Sequence, residues 1–304
     1  MKIFGRYRVF GILTIILAGC HSDDINFDPT VDLAIGIVAD CQYCECETNK
    51  SRYYKYSLSK LEGAIEQFNT EPLNYTIHLG DFIDRDFASF DRILPVWNKL
   101  SSKKYHVLGN HDFNVADAFK PRVLERLDLV DRYYSIVENH WRFIILDGND
   151  LSYHGAYSQH KKKQTDSLFS QVLQSKAHNK PAWNGGISQE QLVWLENELI
   201  SAHNNDERVG IYCHFPIAGN EYTEILWNSE QILDLIDKYP AVKFYFNGHN
   251  HDGDYLIRNG VHYLTFKGMV ESDRQSPFAS VFIIKNIIYI EGHGGEHSRK
   301  LIIR

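Results

Sequence analysis

The sequence predicts an α/β fold in which two sheets pack against each other and helices flank them. Three observations lead there. Short apolar runs alternate with helical patterns early in the chain, strand-like runs dominate later, and polar residues gather just past the ends of several runs.

Residues 33–39 form a short apolar run ending in polar residues, as a buried strand does. Between 53 and 69, Leu58, Leu61, Ile65 and Phe68 recur at helical spacing. Runs at 75–79 and 105–108 read as the second and third strands, with a helical stretch between them broken near Pro95. Residues 133–137 and 141–146 read as paired strands. The segment 149–186 is weakly periodic and rich in Lys, His, Ser and Gln, the pattern of a long surface loop that serves as a substrate lid. Ser188 to Gln191 has the form of a capping box, opening a helix with Leu192, Leu195 and Leu199 on one face. Further strands are expected at 209–213, 242–246, 261–266, 278–284 and 287–290.

The chain has 304 residues, 43% hydrophobic and 23% charged, which supports a large core and excludes long disorder. A net charge of -7 argues against nonspecific nucleic-acid binding, which needs Lys and Arg to displace counterions. Fifteen histidines hint at metal chemistry.

Lys2, Arg6 and Arg8 precede an apolar run over 9–18 that is too short to span a bilayer, the grammar of a signal peptide. Its ending, Leu17, Ala18, Gly19 and Cys20, resembles a bacterial lipobox, so 1–20 is expected to be a lipoprotein signal that leaves lipid on Cys20. The alternative is an ordinary signal peptide with an incidental Cys. Residues 21–30 then read as a polar tether and 31–304 as one domain, with no repeat or linker dividing it. The expected location is lipid-anchored to a bacterial membrane, at its periplasmic face or at the cell surface. Cys41, Cys44, Cys46 and Cys213 permit a disulfide or free loop thiols, whereas a zinc knuckle lacks a second Cys pair.

The chemistry gathers past the strand ends: Asp40 and Gln42; Gly80, Asp81 and Asp84; Gly109, Asn110 and His111; His214; then Gly248, His249 and His251. Open α/β sheets bind ligands in the crevice beyond these ends. Carboxylates, amides and imidazoles together suit two divalent cations with one carboxylate shared. Each fragment alone is weak, but five in order, each at a strand end, form a specific pattern.

That order, D-x-[HQ], G-D-x-x-D, G-N-H-D, H and G-H-x-H, resembles the calcineurin-like metallophosphoesterase family. The resemblance implies a four-layer α-β-β-α sandwich of two mixed sheets. It assigns one ion to Asp40, Gln42, Asp81 and His251 and the other to Asp81, Asn110, His214 and His249. His111 matches the histidine that assists the leaving group, and Asp84 the acid that orients it. Gln42 stands where most members have His, and its amide oxygen favours manganese over zinc, with iron also possible. Residues 52–58, 143–147, 184–191 and 248–253 resemble the manganese-dependent ADP-ribose/CDP-alcohol diphosphatases, so a small nucleotide-like substrate is implied. The loop before Arg52 is shorter than in that subgroup, and Arg85 stands where it carries Gly.

Arg52 is a candidate substrate contact, as are Asn184, Gly185 and Gly186, which otherwise only lead into the capped helix. Tyr53 and Tyr54 either touch substrate or pack on the sheet. Trp183 and Trp227 either stack a base or fill the core. Competing functions are another phosphoesterase, acting on a cyclic nucleotide or lipid headgroup, and a noncatalytic surface binding protein. An intact ligand set disfavours the last.

Overall fold

A computed structural model describes residues 31–220 and 223–304. The expected signal, Cys20 and the tether lie outside the described residues. In chain order the elements are β1 (Leu33–Val38), α1 (Ser57–Phe68), β2 (Tyr75–His78), α2 (Ser89–Trp97), β3 (Lys103–His106), α3 (Val123–Arg126), β4 (Tyr134–Glu138), β5 (Trp141–Ile145), α4 (Gln159–Gln174), α5 (Gln189–Asn204), β6 (Arg208–Tyr212), α6 (Ser229–Ile236), β7 (Val242–Asn247), β8 (Asp254–Arg258), β9 (Val261–Thr265), β10 (Phe278–Ile284), β11 (Ile287–His293) and β12 (Arg299–Ile302).

The strands form two six-stranded sheets, ordered β12-β11-β10-β1-β2-β3 and β4-β5-β6-β7-β9-β8. Both are mixed: β1, β2 and β3 run parallel, as do β5, β6, β7 and β9, while the remaining pairings are antiparallel. Every residue of β1 is buried, because alternate side chains enter different layers. Ile35 and Ile37 join Tyr75, Ile77, Phe143, Tyr212 and Phe244 in a core between the sheets. Val38 instead packs with Leu61, Ile65 and Phe68 of α1 and Ile93 of α2. On the outer face of the second sheet, Ile144, Val209 and Ile211 meet Leu195 and Leu199 of α5 and Ile232 of α6. These three cores separate four layers. The Tyr75 and Tyr212 hydroxyls meet at 2.9 Å across the central core, pairing two polar atoms that would otherwise be buried alone.

Several elements differ from the sequence-based expectation. Strand β3 starts two residues early and contains exposed Lys103 and Lys104, while β8 and β12 had no strand signal; all three are outer strands, where polar residues are tolerated. Pro95 does not break α2. It sits inside the helix, and both Pro95 and Asp91, whose carbonyl loses its partner, are exposed to water. The segment 149–186 is not one surface loop: it contains the 16-residue α4, capped by Ser158, and buries Asn149, Asp150, Ser152 and Asn179. Its pattern is weak because Lys161 and Thr165 occupy inward positions, Lys161 pairing with Asp150 at 2.7 Å. Ser188 caps α5 as expected, but Gln191 does not reach back to it. The Gln191 amide binds both the N–H and the carbonyl of Asp147, at 2.9 and 3.0 Å.

Candidate metal centre

The carboxyl ends of β1, β2 and β3 from one sheet and of β7 from the other open onto a cleft of about 760 Å³, and His214, past the end of β6, is buried beside them. The chain must turn sharply there to aim side chains back over the sheet edges. Asp40, Gln42, Asp81 and His249 all take left-handed backbone conformations, with φ of 53°, 43°, 58° and 70°. Non-glycine residues adopt these at a cost of on the order of 1–2 kcal/mol, and such residues cluster at functional sites. Gly109 has no such freedom to exploit. It is needed because any Cβ there would lie 2.1 Å from the Asp81 nitrogen.

The polar atoms converge. Asp81, His214 and His249 each offer a ligand atom within 4.8 Å of the others. The His214 Nε2 lies 3.3 Å from Asp81 Oδ2, 3.1 Å from Asn110 Oδ1 and 3.2 Å from His249 Nδ1. On the other side, His251 Nε2 lies 3.4 Å from Asp40 Oδ1 and 3.1 Å from Gln42 Nε2, which also donates to Asp81 Oδ2 at 3.0 Å. Asp81 therefore stands between two groups, one with Asp40, Gln42 and His251 and one with Asn110, His214 and His249. Gln42 Oε1 is buried with no partner among the described residues. A half-turn of that amide would place the oxygen beside Asp81 and His251, the orientation a cation would select. Burial opposes charge on His214 and His251, yet Asp81 and then Asp40 for His214, and Asp40 for His251, raise both to about 9. A field that holds protons on buried imidazoles also holds cations, and this donor set suits two divalent ions.

Each imidazole is fixed by an acceptor on its far side, which sets which nitrogen faces inward. His214 Nδ1 donates to the Leu79 carbonyl at 2.9 Å, and His251 Nδ1 to Glu271 at 2.6 Å. His249 Nε2 faces Asn184 Oδ1 and Glu224 Oε2, both at 3.3 Å. His111 lies beside the cluster. Its Nδ1 meets Asp84 Oδ1 at 2.9 Å, its Nε2 is 4.0 Å from Asp81 Oδ2, and its main-chain N–H donates to Asp81 Oδ1 at 2.7 Å. Arg85 also pairs with Asp84 at 3.1 Å and lies over the Tyr54 ring at 4.7 Å.

Three of the proposed substrate contacts are corrected. Asn184 is buried and does not line the cleft; it holds His249 and donates to the Thr223 carbonyl at 2.7 Å. Gly185 and Gly186 do not line it either. A Cβ on Gly185 would meet the Gly148 carbonyl at 2.1 Å, and one on Gly186 would meet Leu168 at 2.7 Å, so both are glycine because the chain packs closely there. Arg52 does line the cleft, and Trp183 stands half-exposed on its rim. Trp227 is buried against Phe169 and Tyr153, and Tyr54 is buried as well. Cys44 and Cys46 form a disulfide, while Cys41 and Cys213 are buried and unpaired among the described residues.

Sequence reasoning missed three supporting residues. Asp112, the last residue of G-N-H-D, accepts from the main-chain N–H groups of Asp81, Phe82, Ile83 and Gly109 at 2.8–3.3 Å, tying two loops together. Its place in the motif was the available signal. Glu271, which orients His251, had none. Lys60 donates to the carbonyls of Met269, Glu271 (3.2 Å) and Ser272 (2.8 Å), fixing the loop that carries Glu271. Burial lowers its pKa to about 8.

The family model described as calcineurin-like phosphoesterase matches residues 33–253. A protein from Bos taurus is 30% identical over 86% of this chain and 91% of its own length, and one from Xenopus tropicalis is 29% identical over 88% and 94%. Both are named manganese-dependent ADP-ribose/CDP-alcohol diphosphatase. A solved dimetal phosphatase from Danio rerio superposes with a TM-score of 0.80 at 25% identity, covering 90% of this chain and 100% of that one. A purple acid phosphatase from yellow lupin shares the fold at a TM-score of 0.55 and 14% identity, covering 88% of this chain and 52% of that one.

Glu271→Ala should free the His251 ring and weaken divalent-cation binding by about 10–100-fold, the usual effect of losing such an outer partner. Calorimetric titration of the metal-free protein measures this; an unchanged affinity would mean that His251 is held without Glu271.

Proposed function

The chain belongs to the calcineurin-like phosphoesterase family, and from that premise we propose that this metal-dependent hydrolase cleaves the phosphate anhydride of nucleotide diphosphate compounds such as ADP-ribose or CDP-alcohols. The observation that carries the reading is the ligand set centred on Asp81 with Gln42 in place of an imidazole, in a chain whose relatives bear that activity in their names. Asp40, Gln42, Asp81 and His251 would hold one divalent ion, and Asp81, Asn110, His214 and His249 the other. Such ions supply Lewis-acid polarisation of the phosphoryl group and a water-derived nucleophile at neutral pH. Manganese is the proposed metal, because the Gln42 amide oxygen is a harder donor than a ring nitrogen.

The protein's own groups do the rest. Asp84 fixes the His111 ring through Nδ1, which leaves Nε2 toward the cluster as the atom that exchanges a proton with the leaving oxygen. The His111 main-chain N–H holds one oxygen of Asp81 and so fixes the carboxylate shared by both groups. Arg52 stands in the cleft as a substrate contact. With ADP-ribose the products would be AMP and ribose 5-phosphate, one water being consumed.

We also propose that the protein is exported and anchored by lipid on Cys20. The leader pattern supports this, and the Cys44–Cys46 disulfide suits an oxidising compartment.

A manganese-supplemented panel of ADP-ribose, CDP-choline, a cyclic nucleotide and a phosphomonoester tests the substrate. A diphosphate should be turned over fastest, and faster with manganese than with zinc or magnesium; a monoester outpacing every diphosphate would falsify the assignment. His111→Ala should keep its metals by elemental analysis and lose about 10²–10⁴-fold in kcat; lost metal with normal turnover per ion would refute its role. Mass spectrometry of the mature N-terminus in the native host should find a lipid-modified Cys20, and an unmodified peptide starting elsewhere means ordinary secretion.

A further inference from the structure

Resting on the diphosphatase reading, we infer that Lys267 holds the second phosphate of the substrate, the one the metal centre does not take. An anhydride carries negative charge on both phosphates. The centre built on Asp81 serves one, so the cleft must offer a further cation if the other is to be bound in a partly desolvated place. Among the described residues, Arg52 and Lys267 are the Arg and Lys side chains lining the cleft, and they are not equivalent. Arg52, the substrate contact named above, shares its charge with Glu271, 3.9 Å from its Nε, so it meets the substrate already partly neutralised. The Lys267 ammonium has no carboxylate within 4.0 Å among the described residues, including Asp252 on the same rim.

The surroundings place that free ammonium with some care. The Lys267 main-chain N–H donates to Glu296 Oε2 at 2.9 Å, and Glu296 is itself occupied by Arg299 at 2.9 Å. Glu296 therefore fixes the Lys267 backbone and makes no ion pair with its side chain. The aliphatic stem runs across Gly253, where a Cβ would sit 3.1 Å from Lys267 Cγ. The next residue, Gly268, lies against the His251 ring, at 2.6 Å from the position of its missing Cβ. Lys267 is thus adjacent in chain to the Asp40–His251 side of the centre, on a half-buried site in the same cleft. A half-buried lysine with no partner beside a metal centre contributes most when an anion arrives.

The test uses the manganese-loaded protein and two ligands. ADP-ribose carries two phosphates, and bis(p-nitrophenyl) phosphate carries one. ADP-ribose is measured both as a substrate and as a competitor of diester hydrolysis. Lys267→Met should raise the inhibition constant of ADP-ribose by about 10-fold or more beyond any change in the diester KM, as expected for losing a charge-assisted contact, and Lys267→Arg should restore most of it. Equal effects on both ligands, or none on either, would overturn the assignment. Turnover of ADP-ribose by the unaltered protein separately reads the diphosphatase proposal: competition without turnover means that reading fails while the Lys267 result still stands on its own.

Discussion

Asp81 is held from four directions, and the rest of the site is arranged around those contacts. Its main-chain N–H donates to Asp112, its Oδ1 accepts from the His111 N–H, and its Oδ2 meets Gln42 and His214. Burial alone would favour the neutral acid, but His214 and His111 hold its pKa well below the usual range. A single buried carboxylate therefore joins loops from both sheets, while Asp84 and the Leu79 carbonyl fix the rings of its His111 and His214 partners from their far sides.

This arrangement is costly locally and is sustained by what lies beneath. Four site residues sit in left-handed backbone conformations, and none is glycine. They persist because the strands below them are clamped between three apolar cores and because Asp112 satisfies four neighbouring N–H groups. The outer acceptors extend the same logic. Leu79, Glu271 and the pair of Asn184 and Glu224 each accept from one imidazole nitrogen, so the three rings present a defined nitrogen to the cluster around Asp81. Lys60 lies one step further out and holds the Glu271 loop by its carbonyls. Preorganisation of this kind passes from the core through the loops to the donor atoms.

Residues 184–186 support the site without lining the cleft. Asn184 lies outside the cleft lining but reaches the centre through His249, while the two glycines answer to packing against Gly148 and Leu168. A run of residues can be tied to function by supporting the site and not by touching substrate.

The sequence by itself determined the buried strands, a helix within 53–69, the helix opened by the Ser188 cap, and the residues that gather past the strand ends. Those signals are local: apolar periodicity and glycine-bounded polar clusters survive in one dimension because each depends on a few neighbouring residues. Tertiary structure alone decided the outer strands β8 and β12, the helix α4 and the roles of Glu271, Lys60 and Asn184. Outer strands carry polar residues because one edge meets water, and α4 turns Lys161 inward because Asp150 waits there. Glu271 lies 20 residues from His251 and Lys60 lies 211 from Glu271, so their pairing is created only when the sheets bring their loops together.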